Sequence, residues 1–218
     1  MAEVKRLLRD GASMESRRGI GDFVAHTALL WAAGSGKAEV VRLLLDKGAK
    51  TEYRDEWGHH SAFEWAASQG RVEVVTLLLE KGVTIDPAAL PWAARWGRAE
   101  VVALLLNKGA NTEARDSWGN TAMLSAVDFS QTPAMDVCQT EVVKLLLAKG
   151  ANIEAWDRKN RTPLLVAALN GKREVVELLL KKGARIEARD ADGNTALAMA
   201  LGKGHMEVAK LLEERGGH

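Results

Sequence analysis

A ten-residue phrase, Glu-Val-Val-x-Leu-Leu-Leu-x-Lys-Gly, recurs along this chain and leaves little freedom in how it folds. It stands complete at 39–48, 73–82, 100–109, 141–150 and 174–183, in a polar-edged form at 207–216, and clipped at 4–11. Five apolar positions in seven describe a helix covered on two sides, as a helix held between two neighbours is. The closing glycine is the left-handed residue just past the last turn. A chain built this way grows by stacking like units, each touching only its neighbours, so all 218 residues read as one domain.

The closing glycines Gly11, Gly48, Gly82, Gly109, Gly150, Gly183 and Gly216 are separated by 37, 34, 27, 41, 33 and 33 residues. Those intervals centre on a period of about 33, which belongs to one class of helix-pair repeat. Twelve residues ahead of four of the helix-opening glutamates stands a second phrase: Thr27-Ala-Leu-Leu-Trp-Ala-Ala, Ser61-Ala-Phe-Glu-Trp-Ala-Ala, Thr162-Pro-Leu-Leu-Val-Ala-Ala and Thr195-Ala-Leu-Ala-Met-Ala-Leu. The hydroxyl caps a helix N-terminus and Pro163 suits its first position. The small alanines let a short first helix lie close against the longer second one, and Gly36, Gly70, Gly97, Gly171 and Gly204 end these first helices.

The pieces Thr-x-Leu-x-x-Ala-Ala, Gly-x-x-Glu-Val-Val-x-Leu-Leu-Leu, Lys-Gly-Ala and Asp-x-x-Gly-x-Thr follow one another in fixed order over essentially the whole chain, and together they resemble the ankyrin repeat. The resemblance implies an all-α repeat solenoid of helix-turn-helix units with short β-hairpin fingers, the concave face being made of fingers and first helices. It divides the chain into a partial repeat at 1–11, repeats at 12–48, 49–82, 83–109, 110–150 and 151–183, and a capping repeat at 184–218, about six units with an N-terminal half-repeat. Asp55, Asp116, Asp157 and Asp190 fall in the finger turns, where a side chain accepts backbone N–H bonds of its own turn. Two residues before the Arg/Lys-Asp pair, where ankyrin repeats commonly have Asn, this chain has Glu52, Glu113, Glu154 and Glu187, so the family's asparagine modification does not carry over.

Three places depart from the pattern. The first finger is about four residues long beyond the standard and carries Arg17, Arg18, Ile20 and Phe23. After Gly82 the finger is nearly absent, and Val83 to Pro87 lead straight into Ala88, which has no capping hydroxyl. The fourth unit gains residues between its helices, at 127–139, and these are expected to form a projecting arm or a third, stubby helix. At the ends, the charged 207–215 helix reads as a soluble cap, whereas Met1 opens inside a second helix, as a trimmed chain or a minimal cap does.

Composition narrows the partners. With 30 Lys and Arg against 29 Asp and Glu, the chain has no electrostatic footprint for a nucleic acid or an anionic membrane. The single Cys138 forms no internal disulfide, no apolar run reaches a membrane span, and no signal peptide is visible, so a cytoplasmic monomer is expected.

No constellation suited to catalysis stands out, and no cofactor or metal is implied. Gly34-Ser-Gly-Lys37 lacks the rest of a phosphate loop and falls at an inter-helix turn. His59 and His60 lack further ligands at a sensible spacing. His205 opens a second helix at a structural position, and Cys138 is a packing residue of the insertion.

The binding signal lies in tryptophan and arginine. In the slots that the family varies and turns toward the groove, this chain places Arg54 and Trp57, then Arg95 and Trp96, then Arg115 and Trp118, then Trp156 and Arg158. These residue types most often dominate the energy of a protein interface. Trp31, Trp65 and Trp92 share one first-helix slot and are expected to pack between repeats. The expected function is therefore a non-catalytic scaffold binding a folded surface or extended peptide of a protein. The alternatives are a small molecule or glycan stacked on the tryptophan row, or a regulatory fragment of a larger enzyme or sensor.

Overall fold

The computed structural model describes residues 27–54, 61–128 and 133–217, the side chains of 133–136 excepted. Its contacts group into two compact units, Met1–Ala89 and Leu90–His218.

In the first unit, α1 (Ala28–Gly34) and α2 (Ala38–Asp46) form one antiparallel pair, and α3 (Ala62–Ser68) and α4 (Val72–Glu80) form the next. The pairs lie side by side, α1 on α3 and α2 on α4. Thr27 Oγ1 accepts the Leu30 N–H at the start of α1. At α3, Ser61 and Glu64 make a reciprocal capping box, each side chain taking the other's backbone N–H. Leu29, Leu30, Leu44, Phe63, Val74, Val75 and Leu78 fill the space between the helices and are essentially inaccessible. Gly34-Ser-Gly-Lys37 is the turn joining α1 to α2, with the Gly36 N–H on the Ala33 carbonyl.

The second unit continues the theme with α5 (Ala89–Arg95), α6 (Ala99–Asn107), α7 (Ala122–Asp128), α8 (Pro133–Ala148), α9 (Pro163–Leu169), α10 (Arg173–Lys181), α11 (Ala196–Gly202) and α12 (Met206–Glu214). First helices stack on first helices, α7 on α9 and α9 on α11, while α6, α8, α10 and α12 form the second layer. Leu105, Leu146, Leu179 and Leu212 hold equivalent places in that layer and each is fully buried. Burying a leucine contributes about 1.5–3 kcal/mol, so the repeated phrase is a repeated store of stability. Its glycine is needed for conformation rather than space. Gly109 has φ +85° with nothing near an added Cβ, while its N–H and that of Ala110 close onto the Leu106 and Leu105 carbonyls.

Among the described residues the fingers contain no extended strand. Arg115 and Thr121 form one isolated antiparallel bridge, as do Arg54 and Ser61. The hairpin is too short for a ladder because the Asp-x-x-Gly turn occupies most of it.

The insertion at 127–139 is neither an arm nor a separate stubby helix where it is described. From Pro133 onward it belongs to α8, a single 16-residue helix that runs without interruption into the repeated phrase. Proline at the first helical position has the φ the helix needs and lacks only an N–H that would be unbonded there. The insertion thus lengthens the second helix at its N-terminus. Val137 and Cys138 are exposed on it, whereas Gln139 is fully buried.

Residues two positions ahead of the repeated phrase tie neighbouring helix pairs together. Arg71 Nε donates to the Gly34 carbonyl at 3.0 Å, and Gln139 Nε2 to the Arg95 carbonyl at 2.9 Å. His205 Nε2 lies 3.1 Å from the Leu169 carbonyl, which gives that histidine the structural place expected of it. Lys172, buried, donates in turn to the Gln139 side chain.

Candidate partner-binding site

The finger at 113–121 is held from inside by Asp116, whose Oδ1 accepts the N–H of Trp118 and of Asn120, both at 2.9 Å. The carboxylate is buried and ties the turn from within, while Ser117 and Trp118 at its tip are exposed. Asp157 does the same one repeat on, taking the N–H of Lys159 and Arg161 at 2.8 and 2.9 Å and pairing with the Arg161 guanidinium at 2.6 Å. Asp190 takes the N–H of Asp192 and Asn194 at 3.0 and 2.8 Å. The finger aspartates at these three positions are structural, as the sequence suggests; Asp55 lies outside the described residues.

With the carboxylates turned in, tryptophan and arginine are turned out and lie on one another. On α5, Trp92 is only 8% exposed and its ring meets that of Trp118 at 5.0 Å between centroids and 58° between planes. Arg95, one helical turn after Trp92, places its guanidinium 4.8 Å from the Trp118 ring centroid and 3.5 Å from an Asp128 carboxylate oxygen. Arg115 places its guanidinium 5.2 Å from the Trp156 ring centroid and donates to the Gly119 and Trp156 carbonyls. Arg158 reaches back to the Ser117 carbonyl at 3.2 Å. The result is a ledge running from α5 over two fingers, in which Arg95 lies against Trp118 and Arg115 against Trp156. Such cation–π contacts stabilise by about 0.5–1 kcal/mol each where exposed. Trp118 remains 43% and Trp156 56% exposed, so their outer faces are open.

Five expected contact residues, Arg95, Arg115, Trp118, Trp156 and Arg158, are thus brought together. Trp96 is half-buried in the turn between α5 and α6. Trp57, with His59 and His60, lies outside the described residues. Arg54, in the first unit, is committed to structure: it donates to Glu64 at 2.7 Å and to Asp86 at 3.0 Å. Burial is the largest influence on the Glu64 carboxyl and pushes it up to about 7, with the Asp86 charge acting in the same sense and Arg54 and Ser61 opposing.

The three first-helix tryptophans do not share one fate. The Cδ1–Nε1 edge of Trp65 lies against Gly34, where an added Cβ would fall 1.9 Å from its ring, and Trp92 is buried, but Trp31 is 66% exposed. Sequence reasoning expects Trp92 to pack between repeats and does not single out Asp128. The spacing of Trp92 and Arg95, three apart on a helix, was the available signal that both serve one face. It also left the helix after Ala88 without a cap; Asp86 supplies one, its Oδ1 accepting the Ala88 N–H at 3.2 Å.

Among the described residues no His, Cys, Asp and Glu cluster is arranged to hold a metal ion, and no helix is long and apolar enough to cross a membrane.

Repeating helix pairs with a side-chain-lined row of turns define a helical-repeat protein. The family model for ankyrin repeats matches at 2–88, 85–155 and 133–218, and the chain belongs to the ankyrin repeat family. Comparison with curated proteins returns no match. Members of this family generally act as protein-interaction modules, on a fold that is typically non-catalytic.

Proposed function

We propose that this chain is a non-catalytic scaffold that binds a protein partner on the ledge formed by Arg95, Arg115, Trp118, Trp156 and Arg158. The observation that carries this reading is the exposure of two indoles that each have one face against a guanidinium group. Large rigid aromatic surfaces left open to water bring contact area to an interface while losing little side-chain freedom there. Packing between repeats accounts for Trp92 and Trp65; it does not account for the outer face of Trp156. A small-molecule or glycan site is less well supported, because the Trp92 ring is covered by Trp118 and the row offers ledges rather than an enclosing slot.

The test is capture of partners by the purified chain and by its Trp156→Ala variant, with cross-linking and mass spectrometry to locate the contact. Loss of a specific partner in the variant, with thermal unfolding shifted by no more than about 0.5 kcal/mol, supports the ledge. A partner cross-linked elsewhere and held equally by both proteins would refute it.

A further inference from the structure

We infer that the occupant of this ledge is an extended acidic segment of a partner protein, with large apolar residues among its carboxylates. The inference rests on the ledge being the contact surface and adds the chemistry of what lies there.

The charge on the two fingers is segregated by depth. Asp116 and Asp157 are 8% and 6% exposed and spend their oxygens on their own turns, with Asp157 also pairing Arg161. Arg115, Arg158 and Lys159 are exposed at the same tips. The acceptors that Arg115 and Arg158 meet are main-chain carbonyls of Gly119, Trp156 and Ser117, which orient a guanidinium without cancelling its charge. The finger-base glutamates are drawn sideways instead: Glu113 accepts the Asn152 N–H at 3.0 Å and Glu154 the Arg185 N–H at 2.8 Å. A chain whose charges balance overall therefore presents a local basic strip interleaved with Trp118 and Trp156. The strip fades at the finger of 187–194, where Asp192 is exposed beside Arg189.

Carboxylates suit this strip because a guanidinium already fixed in plane can take one in a forked pair. The open faces of the two indoles require apolar contact between those charges. Packed helix pairs follow one another at about 8–10 Å, close to the length of three extended residues at about 3.3 Å each. Acidic side chains recurring at about that interval meet one finger after the next.

The experiment is selection of a random phage-displayed library of peptides about 12 residues long on the intact chain. Enriched sequences are then synthesised, with copies carrying Asn and Gln for Asp and Glu. Fluorescence anisotropy compares binding to the parent, to Trp156→Ala and to the double variant Arg158→Gln, Lys159→Gln. The expected result is enrichment of peptides combining Asp or Glu with aromatic or large aliphatic residues. The amide copies, the charge-neutralised variant, and a rise in salt from about 0.05 to about 0.5 M should each weaken binding by about tenfold or more. Peptides that need Trp156 but are neutral or basic would overturn the acidic occupant while leaving the ledge standing. Acidic peptides bound equally by Trp156→Ala would remove the ledge as well. A library with no enriched binder would exclude an extended segment.

Discussion

Arg115 does not simply stack on Trp156; it also donates to the carbonyl of that same residue at 2.9 Å, so one guanidinium fixes both the ring and the backbone that carries it. Lysine has the charge but not the fork. Arg115→Lys is expected to lower stability by no more than about 1 kcal/mol while increasing the segmental motion of the Trp156 indole, read as lower fluorescence anisotropy in a variant keeping Trp156 as the reporter. Unchanged indole motion would show that the guanidinium does not hold it.

Removing the Asp157 carboxylate should be far more costly. Asp157→Ala strips acceptors from the Lys159 and Arg161 N–H groups and leaves the half-buried Arg161 side chain without its 2.6 Å partner. A loss of about 2–4 kcal/mol in denaturant titrations is expected, together with loss of partner binding as the finger carrying Trp156 loosens.

The contact between Gly34 and Trp65 admits no methyl group. A Cβ at Gly34 would lie 1.9 Å from one ring atom and 2.0 Å from another, so Gly34→Ala must push the indole off the helix. We expect destabilisation of about 1–3 kcal/mol and a red shift in tryptophan emission as that ring meets water; emission unchanged from the parent would contradict the close approach.

Glu64 makes the stability of the first unit depend on pH. Its carboxyl is raised by burial from the ordinary 4.5 to about 7, so between those values the folded chain holds a proton that the unfolded chain has released. Folding then takes up protons, and stability should fall as pH rises from about 4.5 to about 7 and level off above, by up to about 3 kcal/mol from this group. Glu64→Gln retains an acceptor for the Ser61 N–H and removes the titration. Unfolding midpoints measured across this range should fall less steeply in the variant than in the parent; equal slopes would dismiss Glu64 as the source.

The repeated phrase made the helix pairs and their glycine stops legible because a two-sided apolar helix and a left-handed stop leave few alternatives. Finger turns were legible for the same reason, since Asp116 and Asp157 act on residues two and four positions away. What was not legible depends on contacts between distant positions. The insertion carries no local sign that distinguishes a short separate helix from an extension of α8, and only Gln139, seated on the Arg95 carbonyl, settles the register. Arg54 resembles Arg115 in its slot, yet Asp86, contributed by the shortened finger, turns it into a structural tie. Trp31 and Trp92 occupy one slot and differ only in what covers them.

The reach of Glu113 to the Asn152 N–H, and of Glu154 to the Arg185 N–H, bears on how such a chain can be rearranged. Donor and acceptor sit on opposite sides of each boundary marked by Gly150 or Gly183, so a unit excised at its glycine takes half of a joint away with it. Shuffled or transplanted modules from this protein restore that joint where the incoming segment brings a glutamate to the vacated seat.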